Sequence, residues 1–184
     1  MDFYNRELKK NRKKVTKQYQ KVIYSIILVT AILWCLGILL APVWAACGAE
    51  CNDIRGDISG FLYSFYSHSC HQLDERSLHL AGYKLGVCSR CTFIYFAFLF
   101  STIIYPFTRK LNNTNMPPIW LLLSGAALVG LDAGFDIFDI IKNSYATREI
   151  TGSILGLILP FYIIPGTIRV FDEFFNTESQ SHRE

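Results

Sequence analysis

Charge is missing from four long stretches of this chain. No Asp, Glu, Lys or Arg occurs from Val22 to Ala46, from Thr92 to Phe107, from Ile119 to Leu131 or from Ile150 to Ile168. A soluble domain buries its apolar residues in short amphipathic elements, so uninterrupted blocks of this length exclude one. A bilayer core is crossed by about 20 apolar residues rising 1.5 Å each. The blocks therefore predict four spans, at about 22–46, 85–107, 119–141 and 150–171. Also missing is a small-x-small cleavage site behind the first block, whose apolar core far exceeds that of a secretory leader; it reads as a retained span. No nucleic-acid-reading motif accompanies the basic residues, and no internal repeat is evident.

What is present agrees with a membrane. Hydrophobic residues make up 51% of the 184, and aromatics 15%. Arg6, Lys9, Lys10, Arg12, Lys13, Lys14, Lys17 and Lys21 crowd the segment 1–21 ahead of the first block. By the positive-inside bias this places the N-terminus in the cytoplasm, with the basic run against anionic lipid rather than nucleic acid. The pair Arg109-Lys110 closes the second span on the same side, and an even number of spans returns the tail, 172–184, to the cytoplasm. The localisation expected is a multi-pass protein of the cell membrane.

Residues 47–57 form an outer loop rich in turn formers, and 58–71 are aromatic but too short to span. An interfacial or re-entrant helix is expected there. The fold class is thus an all-α integral membrane protein of four transmembrane helices plus one short interfacial or re-entrant helix. Pro117 and Pro118 suit a helix start, while Pro160 and Pro165 are expected to kink the fourth span.

Counting spans outward and inward collects the polar groups on one side. Cys47, Cys51, Cys70, His71, Arg76, Cys88, Arg90 and Cys91 fall at or beyond the outer boundary, as do Asp132, Asp136, Asp139 and Arg148. Asp132, Asp136 and Asp139 recur at i, i+4 and i+7, so they share a helix face. A carboxylate turned to lipid costs at least ~2.5 kcal/mol, which directs that face to a protein-lined or watered cavity. Ala126, Gly130 and Gly134, and separately Gly152 and Gly156, make stripes of small residues expected to pack helices closely.

The cysteines admit three readings. Cys70 and His71 with Cys88 and Cys91 supply four ligands for zinc or another soft-ligand metal, from a Cys-His doublet and a Cys-x-x-Cys pair. Adjacent residues rarely both ligate one ion, which favours His68 or an aspartate as the fourth. Alternatively, Cys88 and Cys91 exchange disulfides with Cys47 and Cys51; four spans with these cysteine pairs resemble the plan of quinone-linked disulfide oxidoreductases of the vitamin K epoxide reductase type, which implies a quinone as electron acceptor. A third reading makes the outer cysteines structural staples. Cys35, mid-span, reads as packing. In the metal reading Arg76, Arg90 and Arg148 orient an anionic group, and Asp132 and Asp136 act as acid/base or counter-ions. The substrate would be small or lipid-soluble. A non-enzymatic scaffold or small transporter is the remaining class.

The run Cys70-His71-Gln72, then Arg76-Ser77, then Val87-Cys88-Ser89-Arg90-Cys91-Thr92 with Ile94-Tyr95, resembles a prokaryotic membrane family catalogued as domain of unknown function 2085. Asp132 and the segment Arg148-Glu149-Ile150-Thr151-Gly152 resemble its third and fourth spans, and the likeness covers roughly residues 60–165. The resemblance implies a multi-pass membrane protein with a shared outer site, and no activity.

Overall fold

A run of uncharged residues in a bilayer must satisfy its own backbone, and helices do so within one segment. The computed structural model describes residues 2–51, 54–138 and 143–181, with side chains over 18–48, 54–138 and 143–174. Asp139, His182 and the side chain of Cys51 lie outside the described residues. The chain is helical, with α1 (Asp2–Cys51), α2 (Ile54–Ser67), α3 (Ser89–Thr108), α4 (Ile119–Ile137), α5 (Tyr145–Ile158) and α6 (Pro160–Ser181). Four segments are long and apolar enough to cross a membrane: Gln18–Gly48, Ser89–Thr108, Ile119–Ile137 and Tyr145–Phe174. The protein is an all-α membrane protein.

The short helix α2 folds back along the end of α1. Ser59 donates to the Ala41 carbonyl (2.7 Å) and Tyr66 to the Trp34 carbonyl (2.8 Å). Both helices advance seven residues between these bonds, ~10 Å of rise, so they run antiparallel in register. Gly48 lets the turn close, because a Cβ there would lie 2.5 Å from the Gly56 nitrogen. Along α3, Cys35 Sγ reaches the Tyr95 carbonyl (3.5 Å) and Tyr24 donates to the Thr102 carbonyl (3.0 Å). The N-terminus of α3 thus stands well short of the C-terminal end of α1. The 20 residues of α3 rise ~30 Å, one bilayer core. On that measure α2 descends from beyond the core to the level where α3 begins.

Between them lies a small antiparallel hairpin, β1 (His79–Leu80) and β2 (Tyr83–Lys84). The turn residues Ala81 and Gly82 both have positive φ, 53° and 81°, as a two-residue hairpin turn of the I′ type requires. Ala-Gly signals that turn poorly, since alanine is costly in the left-handed region.

Helix α5 is seated on α3 through its glycines. A Cβ on Gly152 would lie 2.6 Å from the Arg90 carbonyl oxygen, and one on Gly156 would overlap the Ile94 carbonyl and approach the Ala97 methyl to 2.8 Å. Ser101 adds a bond to the Leu157 carbonyl (2.8 Å). In contrast, Gly130 and Gly134 face open space, and Gly125 makes the close contact of α4 with Ile158. Two stripes that look alike in sequence are therefore unlike in use. Gly156→Ala is expected to force α3 and α5 apart and cost about 1–3 kcal/mol, whereas Gly130→Ala should be neutral or slightly stabilising; thermal unfolding in detergent compares them. Helix α5 ends at Ile158, with Leu159 as its C-cap, and α6 starts at Pro160, which has no N–H to continue the ladder.

Candidate metal and anion site

The segment after α2 is held by Gln72. Its backbone takes a positive φ of 51°, and its buried side-chain amide donates to the Tyr63 carbonyl (2.8 Å) and the Gly86 carbonyl (2.7 Å). Lys84 Nζ donates to the Gln72 carbonyl (2.8 Å), and Gly86 N–H to the Ile38 carbonyl of α1 (3.3 Å). These bonds tie α1, α2 and the hairpin to the two residues before Gln72. Strain at one residue is tolerated where the surroundings over-determine it. Gln72→Ala removes both of these hydrogen bonds, so stability is expected to fall by about 2 kcal/mol in thermal unfolding.

That clamp brings Cys70 to the start of α3. The sulfurs of Cys70, Cys88 and Cys91 all lie within 4.8 Å of one another, the group of His, Cys, Asp and Glu ligand atoms so arranged among the described residues. Tetrahedral zinc at Zn–S ~2.3 Å needs sulfurs roughly 3.8 Å apart, so the triangle has the right size. Cys88 caps the helix, and its N–H donates to Cys70 Sγ (3.2 Å). Hydrogen bonds from the Cys88 and Cys91 thiols, with that N–H, hold the Cys70 thiol well below its usual range. A thiolate here also faces the positive end of α3.

His71 does not join the triangle; it is exposed, on the wall of the adjoining cavity. His68 is occupied otherwise, its Nδ1 bonded to the Ser64 carbonyl (3.0 Å) on the last turn of α2. Cys47 stands outside the group as a free cysteine, and so does Cys35.

The charged residues form the other wall. Arg148 Nη2 meets Asp136 Oδ2 at 2.9 Å, and Arg76 Nη1 meets the same oxygen at 3.0 Å. Arg90 pairs with Asp132, which also accepts from Thr151 Oγ1 (3.4 Å). The arginines come from the 3₁₀ turn Asp74–Arg76, from α3 and from α5, and both aspartates come from α4. Asn143 links the end of α4 by donating its side-chain amide to the Asp132 carbonyl and its N–H to Asp136 Oδ1 (3.4 Å). Thr151 and Asn143 escape a search for chemistry-bearing residues. The signal for Thr151 is its i+3 spacing from Arg148 on one helix face.

Among the described residues, the three guanidiniums of this wall face Asp132 and Asp136, and the exposed Glu75 meets Arg76 Nε at 3.9 Å. The Arg148 side chain is only 9% exposed, yet its Nε has no protein partner, nor does buried Arg90 Nε. A cavity of about 390 Å³ lies between the walls, lined among others by Cys70, Cys88, Cys91, Arg76, Arg90 and Arg148. Soft metal ligands and unspent donors for an anion thus share one chamber.

Residues 70–162 match a family described as "Predicted membrane protein (DUF2085)". An uncharacterised protein of Methanocaldococcus jannaschii is 37% identical over 145 residues, which is 79% of this chain and 92% of the relative. No solved structure matches. The matched segment begins at Cys70 and takes in the whole cysteine triangle, Arg76, Arg90, Arg148 and both aspartates, so the chain belongs to the DUF2085 family of predicted membrane proteins.

Proposed function

We propose that this protein binds a zinc-like metal ion through Cys70, Cys88 and Cys91 and uses it, with Arg76, Arg90 and Arg148, to hold and polarise a small or lipid-soluble anionic substrate. The observation that carries the reading is the cysteine triangle on the wall of an arginine-lined cavity. Three protein ligands with the fourth position open to a cavity is the catalytic rather than the structural pattern for zinc. A divalent ion on three thiolates would bear one net negative charge, set beside the guanidiniums of Arg76, Arg90 and Arg148 that line the same cavity. Asp132 and Asp136 serve as counter-ions that fix the guanidiniums, since each carboxylate is engaged with arginine. The basic segment 1–21 and the pair Arg109-Lys110 support an extracytoplasmic position for the chamber.

Two observations favour this over the alternatives. Among the described residues, Cys47 is not gathered with Cys88 and Cys91, which disfavours Cys47 as their direct exchange partner. The groove farther along α3, between the site and Arg109, is lined almost wholly by apolar side chains, which does not suit an ion path. Elemental analysis of the purified protein tests the reading. A stoichiometric metal is expected; none, together with thiols released only by reductant, overturns it in favour of disulfide chemistry.

A further inference from the structure

The chamber has a neighbour. One helical turn below Cys91, α3 turns Ile94, Tyr95 and Phe98 into a groove of about 490 Å³ shared with Ala31 and Trp34 of α1. The groove lies within the spans Gln18–Gly48 and Ser89–Thr108, where hydrocarbon is the solvent. Tyr95 lines the groove, and its ring packs obliquely on Trp34 at 5.5 Å. An apolar groove thus lies one helical turn along α3 from a cavity lined by three arginines, two of which, Arg90 and Arg148, keep a buried Nε with no hydrogen-bond partner among the described residues.

We infer that the site takes an acidic lipid with a small anionic head, the head lying among Arg76, Arg90 and Arg148 and the hydrocarbon chain in the Trp34–Tyr95 groove. The inference deepens the function proposed above and rests on its arginine wall. Neither half explains itself alone. Bulk lipid would fill an apolar groove whatever its ending, but it has no need of a buried Arg148 with an idle Nε. A water-soluble anion would use the arginines, but it has no need of a groove that opens one turn away. An acidic lipid uses both, and it enters sideways from the bilayer with its head already at the depth of the chamber.

Trp34 supplies the test, because a brominated chain quenches an indole only on close approach. The chain has three tryptophans, and Trp44→Phe with Trp120→Phe leaves Trp34 as the sole reporter. The probe is a bromododecyl phosphate titrated into the full-length protein in neutral detergent, with bromododecanol as the uncharged control. Saturable quenching by the phosphate is expected, with the alcohol at least about tenfold weaker, the loss of a charge-assisted contact. Arg148→Gln is expected to weaken the phosphate by a similar factor and leave the alcohol unchanged. Arg76→Gln, at a more exposed position, gives the same result should Arg148→Gln fail to fold. Equal quenching by alcohol and phosphate overturns the inference: the groove then holds ordinary hydrocarbon. Metal content of the same samples is read separately. Metal without charge-dependent quenching overturns the lipid inference alone. Charge-dependent quenching without metal sustains the lipid site and overturns the metal reading.

Discussion

On the proposed metal reading, Cys91→Ser is expected to lower metal affinity by at least ~100-fold, more than the loss of an outer-shell partner does. The sulfurs of Cys70, Cys88 and Cys91 lie within 4.8 Å of one another, so any one substitution would leave two thiolates and an alcohol that zinc holds poorly. Because the proposed ion would join two segments distant in sequence, part of its binding free energy would be folding free energy. The triangle joins the segment after α2 to the cap and first turn of α3. Cys91→Ser should therefore also lower the thermal midpoint, and a chelator should lower the midpoint of the parent chain while leaving the variant unmoved. Cys35→Ser and Cys47→Ser are the controls, since both residues stand outside the triangle. Metal retained in Cys91→Ser, or lost equally in Cys47→Ser, would show that the ligands are elsewhere.

The second large effect is expected at Asp136. Its Oδ2 meets both Arg148 and Arg76, at 2.9 and 3.0 Å, with the two arginine side chains 9% and 35% exposed, and Arg76 has in addition a longer contact with the exposed Glu75 at 3.9 Å. Asp136→Asn keeps the shape and removes the charge that two guanidiniums share at the membrane edge. Breaking a buried pair in this way costs about 3–5 kcal/mol, because the surviving charge has lost its solvent and its partner together. Asp132→Asn should cost less, since it strands Arg90 alone. Replacing Asp136 and Arg148 together with apolar residues should recover part of the loss, as buried pairs often exchange for hydrophobic groups at little cost. Thermal or denaturant unfolding in detergent measures all three. A loss under ~1 kcal/mol for Asp136→Asn would mean that water reaches the pair as it reaches a surface salt bridge.

The same residues show how far the sequence reaches. Helix α3 is legible because a bilayer needs ~20 apolar residues and Ser89–Thr108 has 20. Arg90 and Arg148 are legible as functional because charge at the end of a span must be accounted for. Which oxygen each arginine would take is not legible. The match of Arg90 to Asp132, and of Arg76 and Arg148 to Asp136, depends on the rotation of α4 against α5. The glycines make the point most sharply. Gly152 and Gly130 stand in equivalent small-xxx-small patterns, but one touches the Arg90 carbonyl and the other touches nothing. A stripe permits close approach and does not say which helix approaches.

By itself the sequence determined the membrane class, the four apolar spans and the set of chemistry-bearing residues. Those follow from local quantities: the count of uncharged residues, the placement of Lys and Arg, and the spacing of cysteines. Tertiary structure decided which of the ligands meet. Helix α2 descends beside α1, Gln72 clamps the chain in a left-handed kink, and Cys70 arrives at the cap of α3 while its neighbour His71 turns outward. Adjacent side chains point apart, and only the path of the backbone through space chooses which one faces the site.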